Sequence, residues 1–226
     1  MGNADIVGDL RGLIVFDLDG TLVDSRRDLA DAANALIRER GGAPLSEDAI
    51  GRMVGDGAAM LVKRALTGAG LPQDDSSLPR FLELYDARLL QTTRAYPGML
   101  NALETIRPLG VLAVLTNKPL RHTQQLLREL DLASFFATVI GGDGPFARKP
   151  EPDSLRHLMA EYGAPPRRTV LVGDSPIDAA TARAAGARFC LAGYGFGAEG
   201  AAMGAADAAV SDPSELPEAV AQLLRT

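Results

Sequence analysis

Cysteine is almost absent from this chain, with Cys190 alone among 226 residues. A single cysteine makes no internal disulfide and no thiolate metal cage, which fits a reducing compartment. Histidine is nearly as scarce, and His122 and His157 alone argue against a histidine-built zinc site. Basic charge does not dominate either. The 23 Lys and Arg face 29 Asp and Glu, and the formal charge of −6 argues against a generic nucleic-acid binder. Uninterrupted apolar runs reach only about five residues, as from Val111 to Leu115. A membrane span needs roughly 20. The first ten residues lack the basic start and apolar stretch of a secretory signal, and Ile6 stands where a myristoylation motif wants Ser or Thr. The expectation is a cytoplasmic protein, monomer or homodimer, with no membrane or nucleic-acid partner.

What is present is ordinary for a folded chain: 46% hydrophobic and 23% charged residues. Five short apolar runs have strand length: Leu13 to Phe16, Val111 to Leu115, Ala137 to Ile140, Thr169 to Val172 and Arg188 to Leu191. Ala208 to Val210 is a weaker sixth. Runs without alternation suit strands buried on both faces. Helical spacing lies between them, at Leu120, Thr123, Leu127 and Leu130, at Leu155, Leu158, Met159 and Tyr162, and at Ile177, Ala180 and Ala184 before Gly186. Strand alternating with helix predicts an α/β fold, a doubly wound and mostly parallel sheet.

One interval interrupts the alternation. Between the first two strands the chain reads as helices, with starts at Ser25 (a capping box with Asp28) and at Ser46, and an apolar face at Phe81, Leu82, Tyr85 and Leu89. Residues 25–95 are therefore expected to form an inserted helical cap, with 1–24 and 96–226 as the catalytic core. The Gly/Ala-rich stretch from Ala192 to Ala206 reads as a mobile loop.

The chemistry follows the strands. The first run ends in Asp17-Leu18-Asp19-Gly20-Thr21, the second in Thr116-Asn117-Lys118, and the fourth in Gly173-Asp174-Ser175-Pro176-Ile177-Asp178; Arg148-Lys149-Pro150 follows the third. In an open parallel sheet these ends share one edge, where ligands bind. Three carboxylates, a hydroxyl and an ammonium thus converge. Clustered carboxylates repel and call for a cation, and an oxygen-only donor set suggests Mg²⁺.

These motifs, four in order and spread over nearly the whole chain, resemble those of the haloacid-dehalogenase superfamily of phosphohydrolases. The resemblance implies that Asp17 is the nucleophile and Asp19 the general acid/base. It implies that Thr116 and Lys149 hold the phosphoryl group; Asn117 either joins them or only starts its helix. It also implies that Asp174 binds Mg²⁺ together with the Asp17 side chain and the Asp19 carbonyl. Val54-Gly55-Asp56-Gly57, Leu115 to Pro119 and Arg148 to Pro152 resemble the phosphoglycolate phosphatase family more closely. That implies a small phosphorylated metabolite as partner, 2-phosphoglycolate, hydrolysed through an aspartyl phosphate. A sugar-phosphate phosphatase or a phosphomutase is the alternative within the superfamily. A phosphoacceptor signalling module is the alternative from another class, although Asp19 would shorten the life of its phosphoryl group.

Other residues divide between structural and functional readings. Asp178 either caps its helix or also orients metal-bound water. Lys118, His122 and His157 read as surface residues, and Cys190 as a small buried hydrophobe. In the cap, Arg52, Lys63 and Arg64 are candidates for a second anionic group of the substrate.

Overall fold

The computed structural model describes residues 12–198 and 206–225. Six strands form one parallel sheet in the order β5-β4-β1-β6-β7-β8. They are β1 (Gly12–Phe16), β4 (Gly110–Leu115), β5 (Thr138–Ile140), β6 (Thr169–Gly173), β7 (Arg188–Ala192) and β8 (Ala208–Val210). All six follow the apolar runs of the sequence. The runs do not alternate because both faces are covered. Ile14 and Phe16 pack with α5 (Met99–Ile106), α6 (Leu120–Glu129) and α9 (Leu216–Leu223), whereas Leu13 and Val15 pack with α7 (Asp153–Glu161) and α8 (Pro176–Ala185). Each such side chain, fully buried, contributes about 1.5–3 kcal/mol, so the two-sided burial holds β1 at the centre of the sheet. Gly186 ends α8 in the left-handed conformation, φ 75°, as its spacing suggested.

Four helices lie between β1 and α5: α1 (Arg26–Glu39), α2 (Glu47–Gly51), α3 (Ala58–Gly68) and α4 (Ser77–Asp86). The chain enters and leaves them through a two-stranded antiparallel ribbon, β2 (Val23–Asp24) against β3 (Arg94–Ala95). Two residues per strand carry no periodicity, so the ribbon is invisible in the sequence. Ser46 caps α2 as expected, accepting from the Ala49 N–H.

The capping box expected at Ser25 does not form. The Ser25 hydroxyl instead donates to Asp19. The Asp28 carboxylate accepts from the backbone N–H and hydroxyl groups of Thr92 and Thr93, 64 and 65 residues away. Both polar groups found stronger partners than a local cap. The result ties the start of α1 to the chain returning to the sheet.

Candidate active site

The carboxyl edge of the sheet gathers the motifs. The Asp17 N–H donates to the Val172 carbonyl (2.9 Å), extending the β1–β6 ladder up to that residue. A tight loop follows, in which the Leu18 carbonyl accepts from the N–H groups of Thr21, Leu22 and Val23. Gly20 is required there twice over. Its φ is +86°, and a Cβ would fall 2.0 Å from Asp174 Oδ2. The DxDGT glycine is thus the space through which two acidic segments approach each other.

Lys149 Nζ lies between two carboxylates, 2.8 Å from Asp17 Oδ1 and 2.6 Å from Asp178 Oδ1. Burial opposes its charge, but Asp17 and Asp178 outweigh burial and hold it protonated. Asp178 also completes a capping box with Ser175. It both caps its helix and anchors Lys149. Asp174 accepts from the Gly197 N–H at 2.8 Å. The Thr116 hydroxyl accepts from the Lys118 N–H (3.2 Å), which leaves its own proton free to donate into the cavity it lines.

The electrostatics are unbalanced. With all four ionised, Asp17, Asp19, Asp174 and Asp178 face two ammoniums, Lys118 and Lys149, and two negative charges are uncompensated. Burial, then Asp178 and Asp19, push the Asp17 carboxyl up to about 6 despite Lys149. Burial, then Asp17 and Asp178, raise Asp174 well above the carboxylate range. Oxygens of Asp17, Asp174 and Asp178 lie within 4.8 Å of one another. An all-oxygen, doubly negative cluster fits a hard divalent cation and offers nothing to a soft one.

Several sequence expectations are corrected. Lys118 is buried, with Nζ 3.0 and 3.1 Å from the two Asp19 oxygens and 4.6 Å from the centroid of the Tyr85 ring. His122 is also buried, against Tyr85, with Nε2 2.6 Å from Asp86. His157 is half exposed, as expected. The Asn117 side chain is committed to backbone groups. Its amide donates to the carbonyls of Gly55 and Lys149, and its carbonyl accepts from the Lys149 N–H. The amino end of α6 is partly closed, because the Leu120 N–H donates to Asp143.

The loop read as mobile is docked over its described part. Tyr194 donates to the Thr21 carbonyl (3.0 Å), and Phe196 and Gly197 line the cavity. Its remainder, from 199 to 205, lies outside the described residues. Among the basic candidates in the helices, Arg52 and Arg64 line an outer cleft with Ile177 and Phe196, and Arg64 is paired with Asp56 at 2.5 Å. Lys63 is exposed. None of the three lines the inner cavity.

That cavity lies between the sheet edge and the helices. Asp17, Asp19, Thr116 and Asp174 form its floor, and Leu29, Leu61, Phe81 and Tyr85 belong to its wall.

A doubly wound parallel sheet with buried acids at its carboxyl edge and a helical layer above them is the arrangement of an α/β enzyme. Residues 14–192 match the haloacid dehalogenase-like hydrolase family, and the chain belongs to it. It is 42% identical over 195 residues to a phosphoglycolate phosphatase of Rhodospirillum rubrum, covering 82% of this chain and 81% of that one. A phosphoglycolate phosphatase of Chromobacterium violaceum is 39% identical over 209 residues, covering 90% and 93% of the two chains. Among solved structures, a predicted phosphoglycolate phosphatase from Haemophilus somnus 129pt superimposes with a TM-score of 0.86 at 28% identity, over 93% of this chain and 98% of that one.

Proposed function

We propose that the protein is a Mg²⁺-dependent phosphatase that hydrolyses 2-phosphoglycolate to glycolate and phosphate through an aspartyl phosphate, with residues 25–95 acting as a cap over the site. The observation that carries this reading is the meeting of Asp17 with Asp174 and with Lys149 at one buried point beneath the cavity. The kinship to phosphoglycolate phosphatases supports the choice of substrate.

Asp17 attacks phosphorus and splits one difficult displacement into two easier ones. Lys149 and the free proton of the Thr116 hydroxyl bind the phosphoryl oxygens and stabilise the charge that spreads over them. Asn117 grips the Lys149 backbone on both sides and so aims its side chain. Asp19 gives a proton to the leaving oxygen and later takes one from the water that attacks the aspartyl phosphate. Lys118 and Ser25 fix its carboxylate for that exchange. Asp17, Asp174 and the Asp19 carbonyl would hold Mg²⁺, with Asp178 close by; when bound, the ion supplies the positive charge that lets a phosphate dianion approach acidic groups.

A panel of phosphate esters tests the substrate. With Mg²⁺ present, 2-phosphoglycolate should show the highest kcat/KM, and a clear preference for hexose phosphates would replace it. A second expectation concerns the ion. In cation-free protein, Asp17 titrates at about 6 and Asp174 well above its usual range, so a bound cation must displace protons from them. Its affinity should therefore strengthen as pH rises from about 5 to 7, with proton release on binding. Titration calorimetry in two buffers of different ionisation enthalpy measures both. An affinity indifferent to pH would remove Asp17 from the ion's ligands.

A further inference from the structure

We propose that Lys118 and the Tyr85 hydroxyl form the subsite for the substrate's second anionic group, a carboxylate. This rests on the phosphatase reading above and names the residues that select among its substrates.

Among the described residues that line the inner cavity, Lys118 is the only lysine or arginine. Arg52 and Arg64 of the helical layer border the outer cleft instead. The Lys118 ammonium carries three donors, and both oxygens of the Asp19 carboxylate accept from it. Beside it stands Tyr85, fully buried on α4 and lining the same cavity. Its hydroxyl lies near the ammonium yet makes no well-aligned hydrogen bond. A buried hydroxyl without a partner is costly to the fold and calls for an explanation. A ligand oxygen delivered to that end of the cavity supplies one. The Tyr85 ring is held for the purpose, stacked on Phe81 with centroids 6.0 Å apart and tilted against His122 at 5.4 Å.

The covalent structure of the substrate sets the spacing. A proton donor at the ester oxygen must touch that oxygen, and Asp19 is the proposed donor. In 2-phosphoglycolate a single methylene separates the ester oxygen from the carboxylate. A cation about 3 Å from Asp19 is therefore at the right remove for a short phosphorylated acid. The apolar side chains of the cavity wall, Leu29, Leu61 and Phe81, give no hydrogen bond to the hydroxyls of a sugar. The amino end of α3 adds to the field. Gly55, Gly57 and Ala58 line the cavity, and the N-cap, Gly57, has no side chain to occupy the first N–H groups. Tyr85 belongs to the helical layer and Lys118 to the sheet edge, so the subsite is complete only when the two are together.

The test compares 2-phosphoglycolate with ethyl phosphate, which keeps the ester and lacks the carboxylate. The readout is the ratio of their kcat/KM values. In Tyr85→Phe that ratio should fall by roughly tenfold or more, the effect of one hydrogen bond to a charged group. In Lys118→Met both rates will suffer, because Asp19 loses its partner, but the ratio should fall further still. Binding of 2-phosphoglycolate to the Asp17→Asn protein, with and without Tyr85→Phe, reads the subsite independently of turnover. Wild-type preference for 2-phosphoglycolate with the ratio intact in both variants overturns the subsite and leaves the phosphatase reading standing. Wild-type hydrolysis of ethyl phosphate with no preference for 2-phosphoglycolate overturns both the substrate and the subsite. Failure of the Asp17→Asn protein to bind 2-phosphoglycolate at all overturns the subsite whatever the activity.

Discussion

Asp17→Asn should lower phosphate release by on the order of 10⁴-fold or more, the scale expected when a covalent nucleophile is removed. The same variant should be more stable than the wild type in cation-free buffer near pH 7. Asp17 has a folded-state pKa raised from 3.8 to about 6, so the ionised carboxylate penalises the fold above that pH. The penalty is complete above about 6 and fades as pH falls toward 3.8, because the folded state then takes up the proton more readily than the unfolded one. A shift of that size corresponds to about 2–3 kcal/mol. Lys149 keeps its 2.6 Å contact with Asp178 in the variant, so no buried cation is orphaned. Thermal melts should therefore place Asp17→Asn above the wild type at pH 7–8 without cation, with the gap closing toward pH 4. Added Mg²⁺ should stabilise the wild type more than the variant. A variant that loses activity and stability together would mean that Asp17 serves the fold, and the nucleophile assignment would lose its support.

This trade between function and stability explains what the sequence disclosed. The six strands of the sheet were legible because burial on both faces demands unbroken apolar runs, and the run from Leu13 to Phe16 serves two cores at once. The acidic motifs were legible because each follows a strand. Lys118 was not. A lysine in Thr-Asn-Lys-Pro looks like any surface lysine until the fold brings Asp19 and Tyr85, 99 and 33 positions away in sequence, around its ammonium. Ser25 and Asp28 had the spacing of a capping box, but local spacing cannot register the competing claims of Asp19 and Thr92. Tyr85 carried a helical period that predicts a core position correctly and says nothing of the unpaired hydroxyl at its end. The docked Tyr194 to Gly197 segment was hidden by its glycines. There they allow close approach: a Cβ on Gly195 would fall 2.3 Å from the Gly20 carbonyl oxygen.

Lys149→Met should have the opposite signature to Asp17→Asn, losing both activity and stability. Methionine matches the length of the lysine stem and preserves the packing, so the change isolates the charge. Without the ammonium, Asp17 and Asp178 face each other in a buried site beside Asp174, and breaking a buried pair in this way costs about 3–5 kcal/mol. Activity should fall by roughly 10²–10³-fold or more, as for loss of a single donor to a developing negative charge. The two losses have different origins, and a second substitution separates them. Adding Asp178→Asn removes one of the facing charges while an amide can still serve the helix cap, so the double variant should recover much of the lost stability. It should recover none of the lost turnover, because the phosphoryl group still lacks its ammonium. If turnover returned along with the melting temperature, Lys149 would be a support for the acidic cluster and nothing more, and the positive charge meeting the phosphate would have to come from elsewhere in the cavity.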